Sequence, residues 1–149
     1  MSDSDLIKLY SGRILALAAD IPHAGRLEAP MASARRRSPL CGSTVTVDLD
    51  VREGRISRFA QEVKACALGQ AAAAVLGAVA VGRSRAELEQ ALAELRAMLK
   101  AGGPVPAAPF EGLEVLLPAR EYRNRHASIL LALEATVEAM TTAEAEACA

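Results

Sequence analysis

Apolar residues recur with two different periods along the chain. Leu6, Leu9 and Tyr10 share one helical face that Ser4 or Asp5 can cap, and Ile14, Leu17 and Ala18 continue it. Gly12 weakens the middle, which allows two short pieces. Pro22 to Leu40 is polar and punctuated by Pro22, Gly25, Pro30 and Pro39, so it reads as loop with at most one short strand. Thr44 to Val51 is the clearest strand. Val45, Val47, Leu49 and Val51 face one way, and Thr44, Thr46, Asp48 and Asp50 the other. Arg52-Glu53-Gly54-Arg55 supplies a hairpin turn, and Ile56 to Ala65 returns as a second strand with Phe59 and Val63 on one face. Ile56 is out of phase, which predicts a bulge or a ragged start there.

Beyond the hairpin the period becomes helical. Ala67 to Val81 is rich in Ala, the best helix former. Ser84-Arg85-Ala86-Glu87 has the spacing of a capping box, and Leu88, Leu92, Leu95 and Leu99 carry the next helix to Lys100. Gly102-Gly103-Pro104 stops it, and Pro104, Pro106 and Pro109 stiffen the connector. Leu113 to Leu117 is a short apolar segment before Pro118. A last helix runs from about Arg120 to Met140, burying Ile129, Leu130, Leu133, Val137 and Met140. Strands in one block and helices in another predict an α+β fold, a small antiparallel sheet covered on one face by helices. The whole chain, 1–149, reads as one domain, with 141–149 a disordered tail.

Composition narrows the chemistry. Apolar residues make up 52% and aromatic residues 3%, with no Trp, so the core is aliphatic and a cleft that stacks sugars or bases is disfavoured. Net charge is −1, which gives no field to draw in nucleic acid. Arg35-Arg36-Arg37 is the one basic cluster and reads as a solvated patch in a polar loop. No apolar run reaches the ~18 residues of a membrane span, and the acidic Met1 to Asp5 is unlike a signal peptide. A cytoplasmic protein is expected, and there three cysteines suit metal or sulfur chemistry better than disulfides.

Two of those cysteines are linked by geometry. Cys41 precedes the best strand and Cys66 follows its hairpin partner. Counting outward from a turn at Glu53-Gly54 pairs position 41 with position 66, so the two thiols become neighbours. Cys66 also opens a helix, whose free amides favour a thiolate. Each cysteine taken singly is as readily a small buried hydrophobe; their adjacency favours a shared site. His126 lies in Arg123-Asn124-Arg125-His126, where two arginines would favour anionic sulfide or thiolate. A lone helical His is more often a capped or surface residue. His23 is a weaker candidate, and Cys148 reads as a free thiol in the tail. Phosphate-binding Gly-rich loops are absent from the sequence, and a Cys66–His126 protease pair is disfavoured for want of a substrate cleft.

Ser38-Pro39-Leu40-Cys41-Gly42 before an alternating strand, Val63-Lys64-Ala65-Cys66-Ala67 opening an Ala-rich helix, and Arg125-His126-Ala127-Ser128-Ile129-Leu130 opening the last one together resemble the NifU N-terminal domain family of IscU- and SufU-type iron–sulfur scaffolds. Tyr10 and Pro22-His23-Ala24-Gly25 resemble its opening segment, so the likeness spans roughly Leu6 to Met140. It implies a scaffold or carrier, not a turnover enzyme. Such a protein holds iron or a labile [2Fe–2S] cluster, takes sulfur from a cysteine desulfurase and passes the cluster to acceptor apo-proteins, with no nucleic acid or membrane partner. Cys41, Cys66 and His126 match family ligands, and Ser43 and Arg125 stand beside them.

Two departures from the family pattern matter. Its Asp two residues after the first Cys is Ser43 here, and its third Cys falls at Ala127. The proline-rich segment that the IscU branch offers to a chaperone is not matched around Leu117-Pro118. Three protein ligands leave a tetrahedral ion one open position, and a [2Fe–2S] centre wants four. An outside thiol, a water or a second subunit of a homodimer would complete the shell. Two other readings follow from the same residues: a zinc-holding sulfur acceptor working with a desulfurase, and a degenerate relative whose cysteines only pack.

Overall fold

The computed structural model describes residues 11–40 and 42–148. The segment that Ser4 or Asp5 was expected to cap lies outside them. Its second half is helix α1, Gly12–Ala19, whose N-cap Ser11 accepts a hydrogen bond from the Ile14 amide. Three antiparallel strands follow in the order β1-β2-β3: Ala32–Arg37, Thr44–Arg52 and Arg55–Lys64. Then come α2 (Ala67–Val79), α3 (Arg85–Lys100), a 3₁₀ segment (Glu111–Glu121) and α4 (Arg123–Cys148). The expected α+β architecture is present, with α4 lying across β1 and β2 and packing on α2 and α3.

The alternation in β2 resolves as read. Val45, Val47 and Leu49 are buried under the helices. Glu53 and Gly54 both have positive φ (55° and 75°), the conformation of a two-residue hairpin turn that follows the strand twist. Arg52 pairs with Arg55 and Val51 with Ile56, after which the register shifts by one, so Asp50 faces Arg58. That is the bulge the misplaced Ile56 foretold. It also alters the pairing count: from Asp50 down to Thr44, which faces Lys64, each partner lies one position later than a straight hairpin would place it.

Two sequence expectations change. The Arg35-Arg36-Arg37 cluster is not loop but the end of edge strand β1, paired with Thr46, Val45 and Thr44. Alternation sends Arg36 towards α4, where it meets Glu134 and Glu138, so one of the three arginines is an anchor for the helix. The last helix also runs eight residues past the predicted stop at Met140 and takes in 141–148, expected as a disordered tail. Ala143 is fully buried there, and small residues let the helix stay packed beyond the apolar stripe.

The segment between α1 and β1 is held to the sheet by polar contacts. Gly25 N–H donates to the Gln61 carbonyl, and Gln61 N–H donates to the His23 carbonyl, which covers part of the free edge of β3. The Asp48 side chain, 0% exposed, accepts from Arg26, Ser33 and the Leu27 amide. Burial pushes the Asp48 carboxyl up, but these donors outweigh it and hold it below the usual range. Among the described residues no helix is long and apolar enough to cross a membrane.

Candidate functional site

Cys66 stands at the handover from β3 to α2, as the N-cap residue of that helix. Its side chain makes no capping bond; its sulfur lies instead 3.6 Å from the Ser128 hydroxyl of α4. Ser128 donates in turn to the Ser43 hydroxyl at 3.0 Å. Both serines are buried and the cysteine is partly exposed. One polar chain thus ties together the start of α2, the first turns of α4 and the entry to β2.

Gly69 is the reason α4 can come so close. A Cβ there would lie 2.7 Å from the Ser128 hydroxyl oxygen and 3.1 Å from its carbonyl oxygen. Real Cβ atoms do not approach so closely, so the absence of a side chain one turn into α2 seats Ser128 beside Cys66.

The loop before β2 closes on itself. Ser38 N–H donates to the Ser43 carbonyl at 2.8 Å, and Gly42 N–H donates to the Ser38 carbonyl at 2.9 Å. Cys41, the first expected ligand, lies outside the described residues. Leu40 is 75% exposed, and Ser43, where the resemblance expects Asp, belongs to the buried hydroxyl chain.

His126 is placed differently from Cys66. Its ring is 3% exposed, and Nε2 lies 3.0 Å from both the Ala119 and the Arg120 carbonyl oxygens. Two acceptors require a donor between them, so Nε2 carries the proton and the Nδ1 lone pair is the one left for coordination. Ser128 follows His126 by two residues, about 200° around a helix, so the imidazole and the hydroxyl that meets Cys66 leave α4 in different directions. Among the described residues no three His, Cys, Asp or Glu side chains gather as a metal site. Arg125 is half-buried, and His23 packs edge-on against Phe59, its ring centre 6.1 Å from that ring.

Between Leu40 and α4 opens a cavity of about 840 Å³. Lys100 at the end of α3, Arg120 and Glu121 at the end of the 3₁₀ segment, and Arg123 and Ala127 at the start of α4 line it, with His126 at its wall. Sequence reasoning missed Ser128, Gly69 and this cavity. Gly69 carried a usable signal: glycine costs about 1 kcal/mol against Ala inside a helix, and it interrupts an Ala-rich run.

No protein-family model matches the sequence, and no curated protein matches it. Among solved structures, the chain is 40% identical to a nitrogen-fixing NifU-like protein (N-terminal) from Brucella abortus. That match covers 95% of this chain and 98% of the other, with a TM-score of 0.92. A hypothetical protein (19% identity, 91% and 98% covered, TM-score 0.80) shares the fold. So does a protein assigned as an iron–sulfur cluster assembly scaffold for the SUF system of Fervidobacterium islandicum (19% identity, 90% and 98% covered, TM-score 0.78). With two-fifths of its residues identical over nearly its whole length to one such domain, and the fold shared throughout, the chain belongs to the NifU-like N-terminal family.

Proposed function

We propose that this protein is an iron–sulfur cluster assembly scaffold, which holds iron or a labile [2Fe–2S] cluster as cargo and passes it to acceptor apo-proteins. The single observation that carries this reading is the setting of Cys66: a partly exposed thiol at a helix start, backed by a buried hydroxyl, in a chain 40% identical to a NifU-like domain. Cys41 and the Nδ1 atom of His126 are the other donors in this reading. The sulfur source is a cysteine desulfurase, and the work is done in the cytoplasm. No residue performs turnover chemistry; the protein binds, shields and releases.

Three donors of mixed N and S type also fit zinc, whose tetrahedral site would keep one open position. Anaerobic reconstitution with ferrous iron and sulfide separates the possibilities. The scaffold reading expects visible charge-transfer absorbance that disappears in Cys66→Ala with folding intact. A colourless, folded product that retains zinc instead would replace it with the sulfur-acceptor reading. A product that takes up neither metal would leave only a packing role for the cysteines.

A further inference from the structure

We infer that the cavity between the end of α3 and the start of α4 binds a small organic anion carrying two or three carboxylates. The site is separate from cluster holding: among the described residues its lining has no cysteine, and binding there requires no metal.

At about 840 Å³ the cavity has the size of a small-molecule site, roughly 300–1,000 Å³. Its lining is unevenly charged: Lys100, Arg120 and Arg123 against Glu121 alone. None of the three cations forms an ion pair with Glu121 or with any other described carboxylate. Arg120 is fixed in place by backbone, donating from Nε to the Met98 carbonyl at 2.7 Å and from Nη2 to the Gly103 carbonyl at 2.9 Å. Those bonds orient the guanidinium but leave its charge unpaired, and three of its five N–H groups stay available among the described residues.

Folding alone gives no reason for Arg123 to stand where it does. It opens α4, a helix with no acidic residue in its first turn, and a cation there faces the positive end of the helix dipole. Lys100 suits the C-terminal end of α3 and taken singly would be ordinary. Beside Arg120 and Arg123 it becomes the third cation around one concave space. An anion seated there would neutralise all three, and carboxylates meet guanidinium and ammonium groups with charge-assisted hydrogen bonds. Part of the wall is apolar: Leu40, 75% exposed, lines the cavity with Leu99 and Ala127. A carbon frame between the carboxylates would cover those surfaces, whereas a bare inorganic ion would leave them in water.

The test uses citrate as probe on the full chain, freed of metal and held at low ionic strength. Calorimetry should show saturable binding, about tenfold weaker in Lys100→Glu and in Arg123→Glu, and unchanged in Arg52→Glu beside the hairpin turn. Lys100 and Arg123 are exposed, so neither reversal should lower the thermal midpoint in buffer. Citrate should raise that midpoint in the parent and much less in the double variant. Trimethyl citrate, the same frame without charge, should not bind, and phosphate and sulfate should bind at least about tenfold more weakly than citrate. Absence of citrate binding, binding indifferent to both reversals, or equal weakening by Arg52→Glu would overturn the proposal. So would phosphate binding as tight as that of citrate, since the site would then take inorganic anions. A poly-glutamate peptide that binds where citrate does not would overturn it too, and would make the cavity a contact for an acidic protein segment.

Discussion

The Cys66 sulfur lies 3.6 Å from the Ser128 hydroxyl, a contact between residues 62 apart in sequence. Ser128 also donates to Ser43, so one hydroxyl links a candidate ligand to the strand that follows the Cys41 loop. With the single Ser128 proton given to Ser43, the Cys66 thiol is the donor in this contact; if Cys66 held metal as a thiolate it would only accept, and the Ser128 hydroxyl would have to turn from Ser43 to donate to it. Ser128→Ala should therefore cost about 1 kcal/mol of stability through the lost hydrogen bonds. It should also shorten the lifetime of a reconstituted cluster several-fold. Denaturant midpoints and absorbance decay measure the two effects separately; unchanged decay would confine Ser128 to packing.

Gly69 makes that contact sterically possible. In most helix interiors Gly→Ala is worth up to about 1 kcal/mol in the stabilising direction. Here the new methyl would meet Ser128 and, at 2.9 Å, the Ala65 Cβ. Overpacking of this kind typically costs about 1–3 kcal/mol. Gly69→Ala should lower the urea midpoint, whereas Gly12→Ala, with nothing within 4 Å of the added carbon, should leave it level or raise it. Opposite signs for the same chemical change would identify the α2–α4 crossing as the cause.

The sequence was most legible where one periodicity served one burial. β2, the capping box of α3 and the bulge near Ile56 were all readable because local pattern and tertiary role coincide. Edge strand β1 was hidden because Ala32, Ala34 and Arg36 form its inward face, and two small residues and an arginine do not read as an apolar row. The end of α4 was misjudged for a related reason: Ala143 packs as well as a larger residue when the neighbouring element is near, which sequence does not reveal. At the site, Cys66 and its helix-start position were legible, whereas Ser128 was not. Its role depends on the Gly69 crossing, a relation between two helices rather than a pattern in either.

His126 has a structural duty separate from any metal. Its Nε2–H bridges the carbonyls of Ala119 and Arg120 at the end of the 3₁₀ segment, where the chain turns into α4. Removing a buried donor from carbonyl acceptors costs about 1–3 kcal/mol. His126→Ala should therefore destabilise metal-free protein by about 2 kcal/mol, read as a lower thermal midpoint with chelator present. Loss of metal in this variant reports on coordination only if measured where the variant is still folded. His126→Gln, which can keep one donor towards those carbonyls, should recover part of the stability.

Acid should unfold the protein through its carboxylates. Burial raises Asp48, but the Arg26, Ser33 and Leu27 donors win, and Asp48 titrates below the usual range of about 4. Arg58 lowers Asp50 directly, and for Glu87 the bonds from Arg55 and Ser84 outweigh desolvation in the same direction. A carboxyl depressed in the folded state adds stability that is fully present above its unfolded pKa and is lost as pH falls through the folded one. Urea midpoints should thus change little through these groups from pH 8 to about 5 and fall steeply below about pH 4. Asp48→Asn should cost about 2 kcal/mol at pH 7, because the neutral amide leaves Arg26 without its counter-charge and offers one acceptor oxygen to three donors. The same variant should lose less between pH 5 and pH 3 than the parent. Parallel acid profiles for the two proteins would mean that Asp50, Glu87 or other carboxylates carry the transition instead.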